Sequence, residues 1–462
     1  MSDQTPRLPL HSVEHFMLAG SRRSHPMSFF LRVATVERLQ RERLLPAITA
    51  ALRCHPLLTA TTVRHRGRWM WQPIPPAPQL DQHVWGKYAD SSDNWHIDLE
   101  NQPGIRFSIA DAPADTSTDI QLARPPQSEL WLQVHHGCTD GRGILNFLND
   151  VRTNYQQPLS ASQLRTLEQQ ALQTLPQRAT GFSQQLAPYL NPVGPRWSRI
   201  HKYYGHRSQP LATSLAISND STECLEGLTA SSPSSTLATT QYSPSYVSRQ
   251  LPLDANLFRA RGDHSKSSTA ARPTINDHIL HGLFQALAEH QLRASNKPAN
   301  PWLRIGVPID MRSPAKEPYS ACNCSSLVFL DRRLNTIRQQ SHLLGELHAE
   351  MQLVKQHRLG SVFFDCLAVA HALPGMMRVA VNDRRCAVSA VASNLGIVQF
   401  PPAAGFTIHS LDALPPLRPG TAVALGLMTI NAQLNMALHY DQRLISTSDA
   451  SHLIDSLSTY MS

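Results

Sequence analysis

The sequence is poor in the features that mark secreted and membrane-spanning proteins. It has 7 cysteines in 462 residues, an odd number with no CxxC pair, so no disulfide framework is evident. Cys322 and Cys324 are separated by one residue, which is a poor spacing for zinc ligands, and reduced, buried thiols are expected. The N-terminal residues contain no apolar signal core. The most apolar long stretch, 363–381, is interrupted by charged residues and a proline and is not a membrane span. We therefore expect a cytoplasmic protein without integral membrane association.

The chain also lacks the basic runs interleaved with aromatic residues that mark nucleic-acid binding. Aromatic residues make up only 6% of it, and its 42 lysines and arginines, which give a net charge of +8, are dispersed. We expect no nucleic-acid partner. The excess positive charge is suited to steering anions such as the phosphates of coenzyme A or an acidic carrier protein. A generally basic surface with no dedicated partner is an equally good interpretation.

The length indicates more than one structural unit. A chain of 462 residues is too long for a single compact core. Two successive series of strand and helix patterns occupy 1–175 and 250–462. Between them, 176–249 is predicted to be a crossover linker with a loop rich in serine and threonine. No internal sequence repeat relates the two series.

One stretch combines a strand pattern with residues suited to proton transfer. The alternating apolar run 130–134 predicts a strand, and His135 and His136 follow it directly. Asp140 comes four residues after His136, followed by Gly141 and a helix-like pattern. A strand that enters a glycine-rich turn before a helix is a plausible way to hold an imidazole at the edge of a cleft. Histidine is the side chain best suited to accept a proton near neutral pH.

Two plainer interpretations of the histidine pair stand beside this one. The chain has 22 histidines, so His135 and His136 are also compatible with two ordinary half-buried side chains. A metal site is the weaker alternative, because neighbouring residues of a strand point to opposite faces and would not naturally bind one ion. We expect no metal.

The sequence motif HHxxxDG at 135–141 resembles the signature of the chloramphenicol acetyltransferase-like superfamily. Its members include condensation domains, alcohol O-acyltransferases, polyketide-associated acyltransferases and wax-ester synthases. Three further segments are similar to that superfamily in the same order: 304–312 resembles its VPVDLR strand, 393–396 its SNxG segment and 434–441 its closing strand. The resemblance implies an α/β protein (α+β type) of two halves, each a mixed β-sheet flanked by helices, with a tunnel at their interface.

The same resemblance assigns roles to the residues of the motif and its surroundings. His136 would be the general base. Asp140 would be structural and form an ion pair with Arg312, and His135 would give structural support. Gly141, Asn323, Ser393 and Asn394 would contact substrate near the thioester or the oxyanion. For the polar residues among these four, an ordinary place in a turn or at a strand end is about as good an interpretation.

These expectations lead to acyl transfer as the predicted function. A thioester is already activated, so one base is sufficient to free the attacking nucleophile of its proton. We expect acyl-CoA or a phosphopantetheine thioester on an acyl carrier protein as co-substrate, with no permanently bound cofactor. The acceptor would be a small-molecule alcohol or amine, with O-acyl transfer favoured, and the protein a monomer. The alternatives are a free-standing condensation enzyme that forms amides between carrier-bound partners, and a non-catalytic member that binds a ligand or carrier.

Overall fold

A computed structural model of the protein describes most of the chain. It covers residues 7–81, 95–112, 125–179, 194–212, 242–253, 273–294, 300–312, 319–339, 341–381 and 386–461. Most of the predicted Ser/Thr-rich loop of the linker therefore lies outside the described residues.

The described elements include strands and helices in both the first and the second part of the chain. The strands are β1 (Leu8–Pro9), β2 (Ser28–Thr35), β3 (Thr61–His65), β4 (Arg68–Gln72), β5 (Leu80–Asp81), β6 (Ile105–Asp111), β7 (Ser128–His135), β8 (Pro244–Pro252), β9 (Trp302–Asp310), β10 (Ser325–Arg333), β11 (Ala390–Ile397), β12 (Ile408–Leu414), β13 (Val423–Ile430) and β14 (Gln433–Asp441). The α-helices are α1 (Ser12–Gly20), α2 (Arg41–Cys54), α3 (Pro56–Thr59), α4 (Gly141–Gln156), α5 (Ala161–Thr174), α6 (Pro195–Gly205), α7 (Ile275–Ala294), α8 (Leu334–Gln339), α9 (Leu343–Gln356), α10 (Ser361–Ala372), α11 (Met376–Ala380) and α12 (Thr447–Met461).

The first large sheet carries the histidine motif on its central strand. Its order is β12-β2-β7-β6-β5, antiparallel except for the β5–β6 pair. All eight residues of β7 are buried, as expected for a strand covered on both faces. Helices α2 and α4 pack together beside this sheet and contribute Leu44, Ile48 and Phe147 to the core.

The second large sheet has six strands in the order β10-β9-β11-β13-β14-β8. Its β9, β11 and β13 run parallel, and the other pairs are antiparallel. Helices α7 and α12 pack together and share a core with it. The sequence predicts that α7 begins after Thr274, and in the structure the backbone N–H and hydroxyl of Thr274 both donate to the Asp277 carboxylate, at 2.7 and 2.8 Å. These contacts fix the first turn.

The two sheets are joined by an exchanged strand. Strand β12 lies late in the sequence, after β11, yet it pairs with β2 at the edge of the first sheet. It passes close to β13, where a Cβ on Gly426 would lie 1.8 Å from the carbonyl oxygen of Ala413, so only glycine fits there. The predicted architecture of two mixed sheets flanked by helices is confirmed. The boundaries at 175 and 250 stay a prediction.

The described cysteines are free thiols. Cys54, Cys138, Cys322 and Cys324 are buried, Cys386 is partly buried and Cys366 is exposed. The sulfur atoms of Cys322 and Cys324 lie 3.5 Å apart, and burial together with this contact raises the pKa of Cys324. Such thiols are unreactive. Of the helices that the structure describes, none combines the length and the apolar character needed to cross a bilayer.

Candidate active site

His136 follows the last residue of β7 and is held by its own backbone and by one ring nitrogen. Its N–H donates to the carbonyl of Met27 at 2.7 Å, and its Nδ1 lies 3.1 Å from the carbonyl oxygen of Thr139. A carbonyl only accepts hydrogen bonds. The shorter contact is satisfied when Nδ1 carries the proton; Asn323 Nδ2, which lies 3.3 Å from the same nitrogen, has the His136 carbonyl as its nearer acceptor at 2.7 Å. In this tautomer the lone pair is on Nε2, the nitrogen that no described residue contacts by a hydrogen bond.

The surroundings of His136 favour its neutral form. The ring is half-buried. It packs edge-to-face with Phe29, with 5.2 Å between the two ring centroids. Burial lowers the pKa of His136 below its ordinary value of 6.5, although the charge of Asp140 and the hydrogen bonds of the turn act in the opposite direction. At neutral pH the imidazole is therefore able to accept a proton.

Asn323 fixes the turn from the side opposite the cavity. Its Nδ2 donates to the His136 carbonyl at 2.7 Å. Its Oδ1 accepts from the backbone and the hydroxyl of Ser325, at 3.0 and 2.8 Å. The residue is fully buried and does not line the cavity. Its amide is thus bound on both sides, which is the arrangement of a positioning residue; the expectation that Asn323 contacts substrate stays a prediction.

Asp140 and Arg312 form the ion pair that the resemblance implies. Arg312 Nη2 donates to Asp140 Oδ1 at 2.8 Å, and both side chains are only 5% exposed. The carboxylate also caps α4 by accepting from Gly143 N at 2.9 Å, and its Oδ2 accepts from Cys324 N at 2.7 Å. Burial alone would raise the pKa of Asp140, but Arg312 and these hydrogen bonds outweigh it and lower that pKa. The charged pair thus connects the histidine turn to both ends of the segment that joins β9 to β10.

His135 points into the protein and supports the turn. It is fully buried, and its Nδ1 accepts from Gly137 N at 3.0 Å. Burial, with smaller contributions from His96 and His136, lowers its pKa to about 3. Its Nε2 has no hydrogen-bond partner among the described residues. A buried neutral imidazole of this kind shapes the turn and has no access to substrate.

A large cavity opens beside His136 between the two sheets. Its volume is about 1450 Å³, and its wall includes residues from both ends of the chain. Of the residues predicted for the site, six line it: His136, Asp140, Gly141, Arg312, Ser393 and Asn394. His135 and Asn323 do not. Within the described ranges, no three histidine, cysteine or acidic side chains come together as metal ligands would.

The bulged end of β11 forms part of the cavity wall. The pairing of β11 with β13 shifts register between Asn394 and Ile397, and Gly396 has a φ of 74°, a conformation that favours glycine. Asn394 Oδ1 accepts from Gly396 N at 2.8 Å. A Cβ on Gly141 would lie 2.5 Å from Leu395, so the start of α4 and β11 approach closely only because residue 141 is glycine.

A buried charged network behind Asn323 has no signal in the local sequence. His11 Nε2 lies 3.0 Å from the Asn323 carbonyl. Glu14, fully buried, accepts from Arg178 Nε at 2.7 Å and from Trp71 Nε1 at 2.9 Å. These residues are separated by up to 312 positions, so no local pattern could have indicated them.

His55 is a second positioning residue, and the local sequence contains a pattern that marks it. It belongs to the His-Pro-Leu-Leu segment that follows α2. Its Nδ1 accepts from Ala321 N at 2.8 Å, and its Nε2 lies 3.0 Å from Asp150 Oδ2. The Tyr319 hydroxyl donates to the same carboxylate oxygen at 2.7 Å. His55 therefore fixes the segment that leads into Asn323.

No family model and no curated protein matches the sequence, but solved structures match the fold. The trichothecene 15-O-acetyltransferase of Fusarium sporotrichioides superposes with a TM-score of 0.64 at 11% identity, covering 98% of this chain and 95% of that one. The cyclization-docking bidomain of a nonribosomal peptide synthetase from Sorangium cellulosum gives 0.60 at 12% identity, with 100% and 84% covered. The chain has the chloramphenicol acetyltransferase-like fold.

A third similar structure is the starter condensation domain of rhizomide synthetase in complex with C8-CoA and Leu-SNAC. It gives a TM-score of 0.53 at 14% identity and covers 98% of this chain and 93% of that one. Because these identities are low, the likeness describes the fold. The chloramphenicol acetyltransferase-like fold hosts more than one reaction, so the reaction of this chain must be inferred from its own side chains.

Proposed function

We propose that this protein is an acyltransferase that moves an acyl group from a thioester to an alcohol or amine, with His136 as the general base. The observation that carries the proposal is that His136 lines a cavity of about 1450 Å³ while its Nδ1 faces the turn, 3.1 Å from the carbonyl oxygen of Thr139. We propose that Nδ1 carries the proton. The basic nitrogen is thus left for an acceptor bound in that cavity.

The reaction needs no covalent intermediate with the enzyme. His136 Nε2 removes the proton of the acceptor O–H or N–H as its oxygen or nitrogen attacks the thioester carbonyl. The tetrahedral intermediate then collapses, the C–S bond breaks, and the imidazolium returns its proton to the departing thiolate. We propose that Ser393 and Asn394, which also line the cavity, contact the bound thioester.

The size of the cavity supports two substrates bound together. Pockets for one small ligand usually measure about 300–1000 Å³, and this cavity is larger. We propose that it holds the phosphopantetheine arm of acyl-CoA or of an acyl carrier protein beside a small-molecule acceptor. O-acyl transfer is the favoured form of the reaction.

The test is thiol release by the purified protein with a panel of acyl-CoAs and of alcohol and amine acceptors. His136→Ala is expected to lower turnover by about 10²–10⁴-fold while the fold is kept. His348 is the matched control. It is a partly buried histidine on α9 whose Nδ1 lies 2.8 Å from the Asp277 carboxylate, and it does not line the cavity. His348→Ala should retain most of the activity.

The outcomes of this experiment distinguish the proposed reaction from its alternatives. A His136→Ala enzyme with near wild-type turnover would refute the assignment of the base. Amide products from carrier-bound partners would identify a condensation enzyme. Binding of thioesters by the wild-type protein without thiol release in the presence of any acceptor would indicate a non-catalytic protein.

A further inference from the structure

Four large apolar side chains are exposed around the tight turn between α10 and α11. Val369, Leu373, Met376 and Val379 are 60, 50, 41 and 63% exposed. We name residues 369–380 the apolar ridge. Isolated exposed apolar side chains are common, but a contiguous group indicates an interaction surface. The ridge contains no acidic residue, and from 372 to 377 it has no polar side chain at all.

The apolar ridge is part of the rim of the cavity beside His136. Val369, Met376 and Val379 line the cavity as well as being exposed. Whatever covers the ridge therefore also lies at an entrance to the cavity.

A basic turn lies next to the ridge. The turn between β3 and β4 has the sequence Arg-His-Arg-Gly-Arg at 64–68, and all five residues are exposed. We name it the basic hairpin. Within the described part of the chain, no acidic side chain pairs with its three arginines. It thus presents net positive charge to the solvent.

The ridge and the basic hairpin are connected through a pair of histidines. His371 of the ridge and His15 of α1 have their Nδ1 atoms 3.0 Å apart. Burial lowers the pKa of both histidines. The charge of Arg68 lowers the pKa of His371 further, and that of Arg64 lowers the pKa of His15. Helix α1 packs against both α10 and α11, and Leu10, just before α1, donates to the carbonyl of Trp69, the neighbour of Arg68, at 3.1 Å. The ridge and the basic hairpin are therefore neighbours on either side of α1.

We propose that the apolar ridge and the basic hairpin together bind an anionic lipid surface, with the mouth of the cavity turned towards it. Apolar side chains at an interface enter the boundary between headgroups and acyl chains, while arginines contact lipid phosphates. The net charge of +8 adds long-range attraction to such a surface.

The composition of this face favours lipid over a protein partner. The ridge contains no acidic residue, and the three arginines beside it have no acidic partner among the described residues, so the face is complementary to a surface that is apolar and negatively charged. A second copy of the chain packed on the same face would add the positive charge of its own basic hairpin and no negative charge from its ridge. A lipid surface supplies an apolar interior for the ridge and negative headgroups for the arginines.

The experiment is co-sedimentation of the full chain with vesicles of phosphatidylcholine, with and without about one third phosphatidylglycerol. Wild-type protein should bind the anionic vesicles, and added salt should weaken the binding. Arg66→Gln with Arg68→Gln should lower the partition coefficient by about fivefold per arginine. Leu373→Glu should lower it about tenfold or more, because a charge replaces an inserted side chain.

The matched control is Leu353→Glu on α9, which replaces a leucine that is 48% exposed, close to the 50% of Leu373, outside the ridge. It should bind as wild type does. Failure of wild-type protein to bind anionic vesicles at low salt, or equal losses in the Leu353 and Leu373 variants, would overturn the proposal. So would a dimer in solution that Leu373→Glu dissociates, or capture of an acidic carrier protein in place of vesicles. The assay contains no acyl donor, so its result is independent of the proposed reaction.

Discussion

Removing either partner of the Asp140–Arg312 pair should damage both stability and activity, and the two losses should not add. The side chains are each 5% exposed and 2.8 Å apart. Breaking such a buried pair from one side typically costs about 3–5 kcal/mol, because it leaves a charge in a poorly solvated place. We therefore expect Asp140→Asn and Arg312→Gln each to lower the free energy of unfolding by about that amount.

The contacts show where the cost of each change arises. Both carboxylate oxygens of Asp140 accept from a backbone N–H, one from Gly143 and one from Cys324. Asparagine has only one acceptor oxygen, so its NH₂ must face one of these donors. An unsatisfied buried donor costs about 1–3 kcal/mol. Arg312→Gln instead leaves the carboxylate with its two backbone donors but without a cation, and removes the hydrogen bond to Cys322 O at 3.0 Å.

The measurement is urea unfolding of the two single variants and the double variant, together with turnover of each. We expect a coupling energy of about 1–3 kcal/mol, since contacting groups deviate from additivity by this much. The matched control is the exposed pair Arg38–Asp111, with a 3.0 Å contact and side chains 72 and 70% exposed. The same substitutions there should change stability by about 0–1 kcal/mol. Additive losses at Asp140 and Arg312 would refute the reasoning.

Two substitutions test the turn that holds His136, a glycine substitution on α9 is their contrast, and a pH series tests the buried histidines. Asn323→Ala removes the 2.7 Å bond to the His136 carbonyl and should lower kcat by about 10²-fold with a smaller effect on KM; an unchanged kcat would contradict the positioning role. Gly143→Ala would place a Cβ 2.1 Å from Thr139 Oγ1 and 3.1 Å from the backbone of Cys322 and should cost about 1–3 kcal/mol in urea unfolding. By contrast, Gly345→Ala on α9, where nothing lies within 4 Å, should stabilise by about 0.5–1 kcal/mol. Finally, burial lowers the pKa of His135 to about 3 and that of His11 to about 4, from 6.5. The unfolded chain therefore binds protons first, and melting temperatures should fall as the pH drops below about 6.5 towards 4; a melting temperature constant over this range would show that these imidazoles are not buried in neutral form.

The parts of the site that the sequence could indicate are those that lie close together in it. His136, Asp140 and the start of α4 are contained in one strand-turn-helix pattern, and the resemblance added Arg312, 172 residues from Asp140. The alternating pattern of β7 and the helical pattern of α7 were likewise sufficient to place those elements. Such local periodicity determines which face of an element is buried.

The remaining contacts depend on how distant segments meet. For Asn323 the resemblance implies contact with substrate and the strand-end position an ordinary structural place, and its hydrogen bonds to Ser325 and to the His136 turn agree with the second interpretation. The support from His11 and Glu14 depends on α1 packing against segments more than 150 residues away. Periodicity contains no information about such partners, because it specifies the face of an element and not what covers that face.

The exchanged strand β12 has a consequence for synthesis of the chain on the ribosome. The β2 edge of the first sheet pairs with β12 over Ile408–Leu414, so that edge lacks its β12 partner until these residues have been made. At translation rates of about 5–20 residues per second, the nascent chain therefore exposes an open strand edge for roughly 15–60 seconds after β7 is made. Truncation before β12 should leave this edge permanently open and give an aggregation-prone fragment. The first sheet is thus completed only after four strands of the second sheet, β8 to β11, have been translated.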